Sequence, residues 1–225
     1  MTGYSKQNIL TIMPRSARSN PLALAVLVSL YEKPMHPYEV AQTLRHRAKQ
    51  ESVRLNYGSL YAVVDSLEKK GLIKATGTVR EGKRPERTVY AITDDGSREM
   101  DDWLTELIGV PGKEYPAFMA GLSFLPALDP DDALAALHLR AERLSVKLAG
   151  IKGAMETAKK AGLPRIFELE SEYEESQLAA ELKFVNGLVK EMEAGSLEGL
   201  DMWRVFHTAG FNPEEVHFDF DLSQE

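Results

Sequence analysis

An apolar repeat in the second half of the chain leaves that half little choice of structure. Leu134, Leu137, Ala141, Leu144, Leu148, Ile151, Met155 and Ala158 alternate steps of three and four without a miss. That spacing puts all of them on one narrow stripe of a long α-helix, a coiled-coil seam of more than three heptads. Asp129-Pro130 starts the helix: aspartate caps free backbone amides, proline suits the first turn, and Asp131 and Asp132 complement the helix dipole. Gly162 to Pro164 turns the chain, and a second long helix runs to about Ala194 with a seam of Leu178, Leu182, Val185, Val189 and Met192. This second seam weakens upstream, among Glu168, Glu170, Glu172, Glu174 and Glu175. Two long helices with narrow stripes, joined by a tight turn, are expected to bury their seams poorly alone. A second copy of the chain is the expected completion, with Leu134, Leu137, Leu144, Leu148, Ile151, Leu182, Val185 and Val189 as the dimerisation residues.

The first half follows another plan. After a polar arm over residues 1–19, Asn20-Pro21 caps a helix whose apolar face is Leu22, Val26, Leu27 and Leu30, and Pro34 ends it. Pro37 opens a second, short helix with Tyr38, Ala41 and Leu44 inward. Asn56 caps a third, from Tyr57 to about Lys70, with Leu60, Val64 and Leu67 inward and Gly71 as its stop. The period then changes. Leu72-Ile73 begins one extended segment and Thr88 to Ile92 reads as another, and the charged stretch from Arg80 to Arg87 joins them through Gly82 and Pro85. Three helices and a two-stranded hairpin with a basic tip are the order of a winged helix-turn-helix. Thr93 caps a fourth helix to about Ile108, with Trp103, Leu104 and Leu107 as its apolar side, and Val110-Pro111-Gly112 breaks the chain.

The expected fold is therefore mainly α: a winged helix-turn-helix domain over 20–110 with a two-stranded wing, then a long helical hairpin over 116–194 used for dimerisation. An extension over 195–225 carries Trp203, Phe206, Phe211, Phe218 and Phe220, enough aromatic surface to pack back on the helices or to meet a ligand or partner.

Charge separates the same halves. Residues 1–93 carry 15 Lys and Arg against 7 Asp and Glu, a net of +8, while 94–225 carry 12 against 27, a net of −15. The basic front half suits a polyanionic partner, although basic residues also serve simply to solvate a surface. The chain has no cysteine, which removes disulfides, thiolate zinc sites and thiol nucleophiles. Its longest apolar run, Leu22 to Leu30 broken only by Ser29, is about half of the ~20 residues a membrane span requires. A soluble, cytoplasmic protein without membrane association is expected. The histidines (His36, His46, His138, His207 and His217) are scattered, and His207 and His217 with Asp219 and Asp221 are too loosely spaced to assign a metal. No catalytic residue, cofactor or metal site is assigned.

Several ordered blocks carry a family resemblance. His36-Pro37-Tyr38-Glu39-Val40 opens the second helix, Gly58-Ser59-Leu60-Tyr61 lies in the third, and Leu67-Glu68-Lys69-Lys70-Gly71-Leu72-Ile73 closes it. The wing Gly82-Lys83-Arg84-Pro85-Glu86-Arg87 follows, then Thr88-Val89-Tyr90-Ala91-Ile92-Thr93-Asp94-Asp95-Gly96. Together these resemble the PadR-like regulators, winged-helix repressors named for phenolic-acid response, over about residues 20–108. The helical hairpin also resembles the dimerisation domain of the family's longer members. The resemblance implies a dimeric transcriptional repressor that binds double-stranded operator DNA and is released by a small aromatic effector. In one respect the chain departs from the family: Asp65 and Ser66 stand late in the third helix, where members often carry basic residues. An acid there repels phosphate, so that turn is expected to be solvated or to serve inside the protein.

A helix fits the major groove and reaches base edges or phosphates with exposed residues near its N-terminus. The expected DNA-binding residues are Asn56, Tyr57, Ser59 and Tyr61 on the third helix, with Ala62 or Val63 against a thymine methyl. Tyr38 at the start of the second helix joins them, as do Lys83, Arg84 and Arg87 in the wing. Each has a plainer alternative: Asn56 is occupied as a cap, one tyrosine belongs to the core, and Glu81 and Glu86 pair with the wing cations. Trp103, Phe118 and Phe124 either line an effector pocket beside the hairpin or form a junction core. The competing functional reading is a winged-helix protein-interaction module without specific DNA binding.

Overall fold

The computed structural model describes residues 20–208 apart from 48, 50–52, 54 and 80–86. The N-terminal arm, Lys83 and Arg84 of the wing, Phe211, Phe218 and Phe220, and His217 with Asp219 and Asp221 therefore lie outside the described residues. The chain divides into two compact units, Met1–Glu114 and Tyr115–Glu225.

The first unit is built around α1 (Pro21–Glu32), whose Val26 and Leu27 are wholly buried. Asn20 starts it by accepting the Leu22 N–H at 3.1 Å. Ser29 is buried as well, and its hydroxyl donates to the Ala25 carbonyl at 2.7 Å, which satisfies it inside an apolar helix. Around α1 pack α2 (Pro37–His46), α3 (Tyr57–Lys69) and α4 (Asp94–Gly109), with Val40, Leu60, Leu67, Met100 and Trp103 filling one core. Strands β1 (Ile73–Val79) and β2 (Arg87–Ile92) pair antiparallel, Ile73 opposite Ile92 and Thr78 opposite Thr88, with a bulge between Ala75 and Gly77. Met35 adds a backbone bridge to Tyr90 on the other edge, two bonds of 3.0 Å each, which ties the wing to the start of α2.

The wing is also fixed at its root. The Leu72 N–H reaches back to the Leu67 carbonyl and so ends α3, while the Leu72 carbonyl accepts the Thr93 N–H. Thr93 caps α4 through Gly96 and donates its hydroxyl to the Gly71 carbonyl at 2.7 Å. A side chain on Gly96 would put its Cβ 2.0 Å from the Leu72 oxygen, so only glycine permits α4 to start this close to the wing root.

The second unit begins with α5 (Ala117–Ser123) and a short 3-10 turn, Leu125–Ala127. Its body is the antiparallel hairpin of α6 (Pro130–Lys160) and α7 (Leu169–Glu193). Gly162, at φ 77°, ends α6 in the left-handed region and lets the Leu163 N–H return to the Ala158 carbonyl. Every residue of the α6 repeat from Leu134 to Ala158 is buried or half-buried, as is the α7 stripe from Leu178 to Met192. The two stripes pack on each other within one chain. Leu137, Leu144, Leu178, Val185 and Val189 share a core with Leu134, Leu148, Ile151 and Leu182, the last four only half-buried within one chain. The stripes meet because the hairpin is antiparallel, so each helix supplies the other's partner stripe.

Upstream, where the α7 seam fades into glutamates, the helix continues on another footing. Lys147 meets Glu174 at 2.6 Å, Lys152 meets Glu175 at 3.5 Å, and Arg140 donates to Glu181 at 2.6 Å, all from α6 to α7. Helix α8 (Leu200–Phe206) folds back on this unit, burying Leu200 and Trp203, and the Trp203 indole donates to the Leu128 carbonyl at 2.8 Å.

Candidate nucleic-acid interface

Helix α3 has two clear sides. Leu60, Val63, Val64 and Leu67 are buried, while Tyr57, Ser59, Tyr61, Ala62 and Asp65 are exposed. Val63, expected as an alternative to Ala62 against a thymine methyl, is thus a core residue, since it falls on the same stripe as Leu60 and Leu67; Ala62 is accessible. Asn56 accepts the Ser59 N–H at 2.7 Å and so is engaged as the cap of α3.

Tyr38 departs from the inward position expected of it. It is 38% exposed, and Val40 takes the inward place in α2. Its ring stacks on that of Tyr57, centroids 6.0 Å apart and planes within 10°. Each end of the stack carries a cation. The Arg87 guanidinium, at the start of β2, lies 5.5 Å from the Tyr38 centroid, and that of Arg45 lies 4.7 Å from the Tyr57 centroid. Arg45 also donates to the Tyr57 hydroxyl at 2.6 Å. The column Arg45–Tyr57–Tyr38–Arg87 thus joins the end of α2, the start of α3, the start of α2 and the tip end of the wing strands. Three of the four were expected as separate DNA contacts; Arg45 was not. The available signal was its spacing, since Tyr38 and Arg45 stand seven residues apart on one face of α2.

His36 flanks the column. Its Nδ1 accepts the Tyr38 N–H at 3.0 Å, and its own N–H donates to Glu39 at 2.8 Å, a reciprocal cap for α2. Its ring meets Tyr61 edge-on at 6.4 Å. Burial lowers the His36 pKa, the Arg87 charge lowers it further, and Glu39 opposes both. On the other side of the wing, burial raises the Tyr90 pKa first, and the charges of Glu68 and Asp65 add to it. Asp65 itself stands exposed late on α3.

The residues expected around an effector are placed as follows. Trp103 is 1% exposed in the core of the first unit, whereas Phe118 in the second lies under the Arg140 guanidinium at 3.7 Å and edge-on to Phe184. Phe124 is exposed. His207 bonds the Pro126 carbonyl at 3.0 Å, and no group of three or more potential metal ligands occurs among the described residues. Among them, too, no helix is long and apolar enough to cross a membrane.

Residues 26–102 match the model of the transcriptional regulator PadR-like family. The chain is 23% identical over 146 residues to the negative transcriptional regulator PadR of Bacillus subtilis, covering 65% of this chain and 79% of that one. The crystal structure of Bacillus subtilis PadR in complex with operator DNA superposes with a TM-score of 0.63 at 18% identity, over 77% of this chain and 99% of that one. The same protein in complex with p-coumaric acid gives a TM-score of 0.62 at 18% identity, over 76% and 98%. At such identity the structural likeness is one of fold.

Proposed function

We propose, from the premise that this chain belongs through its winged-helix domain to the PadR-like family of transcriptional regulators, that it works as a homodimeric repressor whose α3 enters the major groove. The observation that carries this reading is the exposed side of the first unit. There the start of α3 and the tip end of the wing strands present Tyr57, Ser59, Tyr61 and Ala62 beside Tyr38 and Arg87. The tyrosine hydroxyls and Ser59 supply hydrogen bonds to base edges or phosphates, and Ala62 a methyl contact. Lys83, Arg84 and Arg87 give the wing its grip on the backbone. Asn56 contributes by starting α3. The basic front half, set against an acidic remainder, suits a polyanion such as DNA.

Two copies present two recognition helices to half-sites about one helical turn, ~34 Å, apart. The hairpin supplies surface for the second copy: Leu134, Leu148, Ile151 and Leu182 are only half-buried within one chain, and Leu139, Val146 and Phe184 are exposed on α6 and α7. Release by a small aromatic effector is carried over from the Bacillus subtilis relative, whose complex with p-coumaric acid is known. A gel shift with DNA from upstream of the protein's own gene tests the reading, with p-coumaric acid added to the preformed complex. A retarded band at low salt supports DNA binding, and its loss on adding the acid supports the effector class. No band at low salt refutes the DNA reading.

A further inference from the structure

We propose that Arg45, in the last turn of α2, contacts the DNA backbone, and that Arg45, Tyr57, Tyr38 and Arg87 meet DNA as one coupled column. The inference rests on the DNA-binding reading above and adds a residue and a mechanism to it.

Charge compensation gives the first argument. Several of the described arginines are paired with acids: Arg47 with Glu32, Arg98 with Asp95, Arg140 with Glu181 and Arg165 with Glu172. Arg45 and Arg87 are held by tyrosine rings instead, and among the described residues neither has a carboxylate within ion-pair distance. A ring face steadies a cation without cancelling its charge. Glu39, on the first turn of α2, accepts the His36 N–H. Against the described residues, both guanidinium groups keep their charge available to a polyanion.

Geometry gives the second. The Arg45 guanidinium spends one donor on the Tyr57 hydroxyl at 2.6 Å, and its remaining N–H groups are available to phosphate oxygens. A long side chain tethered before binding loses less entropy when it binds. Its tether, Tyr57, is the first residue of the recognition helix, so Arg45 is fixed relative to the groove that α3 reads.

Connectivity gives the third. The column crosses from the tip end of β2 to α2 and α3 through two stacked rings. Removing either guanidinium frees the ring beneath it and loosens the hold on the other. Tyr38 is thus a positioning residue that couples the wing to the recognition helix.

The experiment titrates the full chain against two labelled duplexes, one of random sequence and one from upstream of its own gene, across a salt series. Arg45→Ala is expected to weaken both by about tenfold and to lower the log–log salt slope by about one per protomer. Arg45→Lys retains the slope, and neither variant shifts the melting temperature, since Arg45 is exposed. Arg45→Ala and Arg87→Ala together cost less than the product of their separate effects, and in a Tyr38→Ala background they simply multiply. Unaltered affinity and slope in Arg45→Ala, while the parent protein binds, overturn the contact. Simple multiplication with Tyr38 present overturns the coupling. If the parent protein binds neither duplex at low salt, the DNA-binding reading fails and takes this inference with it.

Discussion

Gly96 shows how one position can set the spacing of two elements. With the Leu72 oxygen 2.0 Å and Ile92 Cγ1 2.8 Å from the place of a Cβ, Gly96→Ala must push α4 away from the wing root. Urea unfolding should show a loss of about 1–3 kcal/mol, the usual cost of overpacking; an unchanged midpoint would mean that the approach relaxes freely. His36 makes a pH-dependent contribution. Its Nδ1 accepts the Tyr38 N–H, which only the unprotonated nitrogen can do, and its pKa lies below the ordinary 6.5. The neutral form belongs to the folded state, so this stabilisation is fully present above about pH 6.5 and is lost as pH falls through the lowered folded pKa. His36→Asn, whose amide caps a helix at any pH, should lose less stability than the parent between about pH 8 and about pH 5. An equal loss would assign the acid sensitivity elsewhere. Caps such as Asn20, Asn56 and Thr93 were legible because their chemistry is local. The outward turn of Tyr38 was not, because an aromatic stacked on another aromatic at the surface has the same sequence signature as one in the core. Arg45 was missed for a related reason: its partner, Tyr57, comes from another helix.

Helices α6 and α7 were legible in their boundaries and stripes, because a repeat this regular admits one period. Their partner was not. A seam states that it must be covered, and the antiparallel hairpin covers part of it from within, leaving Leu134, Leu148, Ile151 and Leu182 half-buried. Of the α7 glutamates where the seam fades, Glu174 and Glu175 meet Lys147 and Lys152 from α6, partners that lie on another helix. Leu144→Ala, at the middle of the seam and 8% exposed, should destabilise the second unit by about 2–4 kcal/mol. The change should leave the first unit's melting in place, since Leu144 belongs to the other core; simultaneous loss of both units would show that they unfold as one. In α4 the stripe was half right. Trp103 is core, but Leu104 and Leu107 are exposed, and Met100 takes the inward place one turn before Trp103.

The whole chain divides its charge as it divides its tasks, a basic front against an acidic remainder. That division, with the winged-helix order, was readable before any coordinates; the column at the tip end of β2 needed them. If two copies act together, sedimentation should give about twice the chain's 25.1 kDa, and a monomer at micromolar concentration would remove the paired half-sites. The most direct test is equilibrium binding of the full chain to duplex DNA from upstream of its own gene, followed across a salt series. The logarithm of the binding constant should fall linearly with the logarithm of salt concentration, with a slope that Lys83→Ala, Arg84→Ala and Arg87→Ala combined make shallower. Absence of binding at low salt, or a slope indifferent to the three wing cations, would contradict the account.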